Sequence, residues 1–230
     1  MAREVSILVI NPNSSRSVTE GLRDVLQSPP GTKLEFYTAP EDAPPSIDDA
    51  TTSTLSAAAC IRDIVEKGLI DQHDGFLVSC FSDHPLTYIL REATGKPVLG
   101  IFQAAISQSL LCGERFGILT TGPGFNYTGG VSAFLGASRS DRFSGVVLTG
   151  LGVTELREGD MEHVESKMKK GSAELAALGA DVVILGCAGM AGMEDLVHAG
   201  VKSGGFKDVR VVDGNKAGVE MVAALVRLGR

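Results

Sequence analysis

Eight short runs rich in Val, Ile and Leu punctuate this chain, and few of them alternate apolar with polar residues. They cover 5–10, 33–37, 75–79, 98–101, 116–120, 143–148, 182–185 and 209–212. A run that is apolar on both faces suits a parallel strand covered by helices on each side. Helical patterns fill the gaps, at 17–27, 48–67, 85–93, 104–111, 154–178, 194–198 and 216–228. The second of these opens on capping residues and stops at Gly68, a helix terminator. Strand–helix alternation throughout means βαβ crossovers. The chain's 28 glycines and its low aromatic share of 5% fit a fold with many tight turns at strand ends.

The order of elements repeats. SILVINPN (Ser6 to Asn13) resembles FGILTTGPG (Phe116 to Gly124), and KLEFYTAP resembles FSGVVLTG in place. GFLVSCF resembles VVILGCA, and PVLGIFQA resembles VRVVDGNKA. Asn11 precedes Cys80 by 69 residues, and Thr121 precedes Cys187 by 66. Four elements recurring in order predict an α/β fold of two similar lobes, each a parallel sheet flanked by helices. The boundary is placed near residues 107–115. The first lobe takes 1–106 plus 214–230, and the second takes 107–213.

Ligands of open parallel sheets bind beyond the carboxyl ends of the strands. Polar tips stand there: Asn11 to Ser15, Ser79 to Ser82, Thr120 to Gly122 and Gly186 to Gly189. If the lobes face each other across a pseudo-twofold axis, Cys80 and Cys187 meet in the cleft. A disulfide is disfavoured in a reducing compartment. No His or Cys lies at useful metal-ligand spacing to either thiol, so no metal is assigned. Acid–base work on both faces of one carbon remains. One thiol, made more acidic by a helix N-terminus, removes a proton next to a carbonyl. Hydrogen-bond donors hold the oxyanion, and the other thiol returns a proton from the far side. The outcome is an inverted stereocentre, without a cofactor.

ILVINPNSS, CFSD and VILGCAGM together resemble the aspartate/glutamate/hydantoin racemase superfamily, in its hydantoin and allantoin racemase branch. The resemblance runs nearly end to end, including the closing VVDGNKAGVEMV. It implies two α/β lobes with a cofactor-independent active site between them, and Cys80 and Cys187 as the bases. It also implies a substrate site lined by Asn11, Asn13, Phe81, Ser82, Thr120, Thr121, Ala188 and Gly189, and a C-terminal helix that returns to the first lobe. The expected reaction is racemisation of a 5-substituted hydantoin, with allantoin the more natural metabolite. Amino-acid racemisation, cis–trans isomerisation with one cysteine as nucleophile, and a non-catalytic small-molecule sensor stay open as alternatives. Two positions bear on the substrate. Ser82-Asp83-His84-Pro85 stands where hydantoin racemases of the family commonly carry Gly-Asp-Pro, and Gln103 stands where an acidic residue is expected.

Other residues receive plainer readings. Cys60 and Cys112 are read as small buried hydrophobes on helices. His73, His163 and His198 are read as surface groups, and His84 lies closer to the cleft. Asp83 is expected to cap the following helix. Asn11 and Asn13 have a second reading, as residues that shape a turn and cap the next helix. The run Gly122-Pro123-Gly124 is not a phosphate loop, because GxxxxGK[ST] occurs nowhere. A net charge of −7 disfavours nucleic acid, and the cluster of Lys167, Lys169 and Lys170 shares its helix with Glu162 and Glu165. The opening apolar run is too short to span a membrane and lacks the features of a secretory signal. The expectation is a cytoplasmic protein with a small-molecule substrate as its partner and no nucleic acid or membrane. Assembly into a homo-oligomer is left open.

Overall fold

A computed structural model describes residues 3–122, 125–136 and 140–229. Pro123 and Gly124, at the end of the second repeat's first loop, lie outside the described residues. The first half of the chain runs β1 (Val5–Asn11), α1 (Arg16–Val25), β2 (Thr32–Thr38), α2 (Ala50–Glu66), α3 (Leu69–Gln72), β3 (Gly75–Val78), α4 (Pro85–Thr94), β4 (Val98–Gly100) and α5 (Ile101–Cys112). The second half runs β5 (Phe116–Thr120), α6 (Tyr127–Leu135), β6 (Phe143–Leu148), α7 (Glu155–Glu158), α8 (Met161–Ala177), β7 (Val182–Leu185), α9 (Glu194–Ser203), β8 (Arg210–Asp213) and α10 (Gly214–Leu228). A 3-10 turn, Ala188–Met190, follows β7.

The strands form two four-stranded sheets ordered β2-β1-β3-β4 and β6-β5-β7-β8, and every pairing is parallel. The two orders are the same order, which is the repetition seen in the sequence. Inner strands β3, β5 and β7 are buried along their whole length. Register aligns the site. Ile10 pairs with Val78, so the Asn11–Asn13 loop leaves the sheet beside Ser79 and Cys80. Leu119 pairs with Leu185, which sets Thr120 and Thr121 beside Gly186 and Cys187.

Two helices cross between the sheets. α5 follows β4 but packs against β7, β8 and α10, while α10 follows β8 and packs against β1, β3 and β4. Where the chain enters α10, a Cβ at Gly214 would lie 2.6 Å from the Ile101 carbonyl oxygen, so only glycine permits that approach. One apolar core therefore runs through both halves, joining Val9 and Leu77 to Ile106, Ile184, Val219 and Val222. Separate cores fill the outer faces, Ile10, Ile64 and Leu90 on one side and Leu119, Met168 and Val197 on the other. Both faces of each sheet are covered, which is why the strands do not alternate. A division at 106/107 and 213/214 stays a proposal, its first cut falling within α5.

Four local features differ from the sequence reading. The helix expected over 154–178 breaks at Gly159-Asp160, where Asp160 caps α8 by accepting from the Glu162 amide. α6 was not anticipated. It starts at an Asn126 cap that accepts from the Gly129 amide, and it buries Tyr127 and Val131. His73 is not a surface group. It is 2% exposed, lies edge-on to Phe76 and bonds the Ser6 hydroxyl. Asp83 does not cap α4. His84 does, accepting from the Leu86 amide, while Asp83 accepts from the Tyr88 hydroxyl at 2.6 Å. α2, by contrast, carries a reciprocal Asp49/Thr52 capping box and ends at Gly68, whose φ of +64° is the left-handed conformation glycine tolerates.

Candidate active site

Cys80 follows the end of β3 by two residues, and Cys187 follows the end of β7 by two. Both line one cavity between the lobes, with Asn13 and Ser79 on the first side and Thr121, Gly186 and Ala188 on the second. Phe81, Phe125 and Tyr127 contribute aromatic walls, and Ile47 and Val153 complete the lining. The Phe81 ring lies 5.3 Å from Phe102 and 6.1 Å from Tyr127, centroid to centroid. The cavity measures about 30 Å³, room for a water or two. A second cavity of about 220 Å³ adjoins it, shares Phe125 and Tyr127, and is lined also by Ser82, Asp83, Pro85, Phe102 and Asn126.

Each thiol has its own neighbours. Cys80 Sγ lies 3.3 Å from Ser82 Oγ. Cys187 precedes the 3-10 turn and takes hydrogen bonds from the Gly189 and Met190 amides. These bonds favour a thiolate, as does the positive charge of Arg157 near Cys187. Burial opposes them and wins. It pushes Cys80 up to about 12 and Cys187 up to about 11. The expectation of a thiol made acidic by a helix N-terminus is therefore corrected: burial outweighs the local donors at both cysteines. Cys80 stands five residues ahead of Pro85, the first residue of α4, and the turn after Cys187 is only three residues long. A thiolate at Cys187 would raise Cys80 further, so the pair disfavours two thiolates at once.

The two asparagines divide the work. Asn11 is fully buried and does not line the cavity. Its Nδ2 donates to Asn13 Oδ1 (3.0 Å), the Ser15 carbonyl (2.9 Å) and Thr19 Oγ1 (3.0 Å). Asn13 Oδ1 also accepts from the Ser15 amide at 3.0 Å, so Nδ2 is the end of Asn13 available to a ligand. Thr120 is buried behind the site. Its hydroxyl donates to the Gly186 carbonyl and lies 3.3 Å from the Tyr127 oxygen. Thr121 and Ala188 line the cavity, Ser82 lines its neighbour, and Gly189 touches Cys187 only through its amide.

His84 and Gln103 touch neither cavity. His84 Nδ1 accepts from the Leu86 amide, which leaves Nε2 protonated and 3.4 Å from Ser56 Oγ. The Ser56 hydroxyl in turn donates to the Pro12 carbonyl, which the Cys60 thiol also approaches, at 3.6 Å. His84 thus braces the loop that carries Asn13, and burial lowers its pKa to about 4. Gln103 accepts from Arg91 at 2.6 Å and lies 3.4 Å from the Tyr88 hydroxyl. Tyr127 is the functional candidate the sequence reading missed, since it sits on the helix that went unnoticed. Its phenol is held neutral by burial. Among the described residues, no three His, Cys, Asp or Glu side chains are grouped to hold a metal, and no helix is long and apolar enough to cross a membrane.

Two parallel α/β lobes that set one cysteine tip each into a shared cavity define the racemase fold. The chain belongs to the Asp/Glu/Hydantoin racemase family, whose model matches residues 7–222. It is similar to an uncharacterized protein of Schizosaccharomyces pombe, 38% identical over 229 residues, with 97% of this chain and 93% of that one covered. A hydantoin racemase of Rhizobium meliloti is 31% identical over 225 residues, covering 97% and 89% of the two chains. Among solved structures, an allantoin racemase from Klebsiella pneumoniae superposes with a TM-score of 0.81 at 28% identity, covering 98% of this chain and 89% of that one.

Proposed function

We propose that this chain is a cofactor-independent racemase that inverts the stereocentre of a 5-substituted hydantoin, allantoin included, by proton transfer between Cys80 and Cys187. Two thiols from different lobes lining one cavity is the observation that carries the reading. The C5–H of a hydantoin lies between a ring carbonyl and a ring nitrogen, and the carbonyl acidifies it. A thiolate on one side takes that proton and forms an S–H bond. The C–H electron pair moves into the carbonyl as an enolate. Asn13 Nδ2 and the neutral Tyr127 phenol supply donors for the developing oxyanion. The opposite thiol delivers its proton to the other face and becomes the thiolate, so charge and protons balance. Exchange with solvent resets the pair.

The cavity of about 30 Å³ is smaller than a hydantoin ring, so the walls or lobes part on binding. The adjoining apolar-walled cavity of about 220 Å³ gives the C5 substituent room. The four unpaired cysteines suit a cytoplasmic setting.

Polarimetry of the purified protein with single enantiomers of 5-substituted hydantoins, allantoin and amino acids tests the reading. Optical rotation of at least one hydantoin should decay to zero. Cys80→Ser and Cys187→Ser should each slow that decay by about a thousandfold or more while binding survives. Full activity in either variant would remove that thiol from the mechanism. Turnover of amino acids alone would move the substrate class.

A further inference from the structure

Arg157 stands in α7 with its guanidinium half-buried between the lobes. Nη2 donates to the Ala191 carbonyl at 2.7 Å, just past the 3-10 turn that follows Cys187. Nε is buried and has no hydrogen-bond partner, and no carboxylate lies within ion-pair distance among the described residues. Space for the group is cut into the facing helix α1. A Cβ at Gly21 would lie 2.9 Å from both Cζ and Nε of Arg157. A half-buried guanidinium with one buried, unpartnered nitrogen and no carboxylate beside it is stabilised by an anion that forms nearby. The charges around it are few. Asp24 on α1 and Asp213 at the end of β8 act on it from a distance, and Cys187 is the strongest of the three. Glu20 and Arg23 of α1 pair with each other, and Glu158 accepts from Ser17.

We infer that Arg157 is a positioning residue whose half-buried charge favours a thiolate at Cys187, making Cys187 the thiol of the pair that gives up its proton first. The catalytic meaning rests on the racemase reading above. Cys80 faces no such partner: the charges acting on it are Cys187 and Asp48, and both disfavour its thiolate. Asp48 also disfavours the thiolate at Cys187, where Arg157 and two amides oppose it. Once one proton leaves the pair, the site is then asymmetric despite its near-symmetric fold. An enantiomer whose C5–H faces Cys187 meets the favoured singly ionised state, and its mirror image must await the other.

The test is alkylation by iodoacetamide across a range of pH, resolved for each cysteine by peptide mass spectrometry. The midpoint reads thiol acidity, whereas the plateau rate reads access. In the native protein Cys187 should have the lower midpoint. Arg157→Met should raise it, with about tenfold slower alkylation of Cys187 at pH 8, and should leave the Cys80 midpoint in place. Arg157→Lys should restore most of the difference. Gly21→Ala keeps the charge and the fold but displaces the guanidinium, and should raise the Cys187 midpoint in part. An unmoved Cys187 midpoint in Arg157→Met, or an equal movement at Cys80, would overturn the proposal. Failure to racemise any hydantoin, with the midpoint still dependent on Arg157, would overturn the proposed function and leave the pairing standing.

Discussion

Single side chains decide whether the cavity can hold a charged sulfur at all. Desolvation outweighs every local hydrogen bond at Cys80 and Cys187, so the closed site keeps both thiols protonated. The same physics acts on His84, one shell of packing away. Its pKa falls from 6.5 to about 4 because burial disfavours the cation. The unfolded chain therefore binds more protons than the folded one between those values. Stability is full above about pH 6.5 and is lost as pH falls towards 4, by about 3 kcal/mol from this group. Buried His73 adds to the loss in the same direction. Urea denaturation at pH 7 and pH 5 should show the difference, and His84→Gln should shrink it. An unchanged pH dependence in that variant would clear His84. The two asparagines should separate by assay. Asn13→Ala should lower kcat/KM by about tenfold to a hundredfold with little effect on stability. Asn11→Ala leaves several buried groups unpaired, and should cost about 1–3 kcal/mol of stability, read as a lower urea midpoint.

The helix that ties the second lobe back to the first packs closely on the first sheet. α10 lies so close to β3 that a Cβ at Gly218 would sit 2.4 Å from Leu77 Cδ1. Gly218→Ala should destabilise by about 1–3 kcal/mol through overpacking, outweighing the helix propensity that alanine gains. A urea midpoint at or above that of the native protein would show that the contact relaxes freely. The strands were the most legible elements, because burial on both faces writes continuous Val/Ile/Leu runs. All eight were located; β5, β6 and β7 match at both ends, and no other end is off by more than one residue. α6 was illegible for the opposite reason. Thr128, Gly129 and Gly130 are weak helix formers, and the helix is held by its Asn126 cap and by burial of Tyr127, which no local pattern announces. α7 and α8 read as one helix because their apolar spacing continues across Gly159, and only the Asp160 cap marks the break.

At the scale of the whole molecule, two copies of one sheet order meet at their carboxyl ends, and crossing helices lock them into one core. The repeated strand–cysteine tips made that arrangement legible, and with it the pairing of Cys80 with Cys187 in one cavity. Thiol acidity was not legible, since it depends on how much water the closed lobes exclude. Nor was the half-buried charge of Arg157, whose neighbours come from α1 and the turn after β7. The proposed racemisation needs two sulfurs serving opposite faces of one carbon. The most direct measurement is deuterium exchange at C5, followed by NMR in heavy water, for each hydantoin enantiomer with Cys80→Ser and Cys187→Ser. Each variant should exchange one hand only, and the two variants should choose opposite hands. Exchange of both hands by either single variant would contradict it.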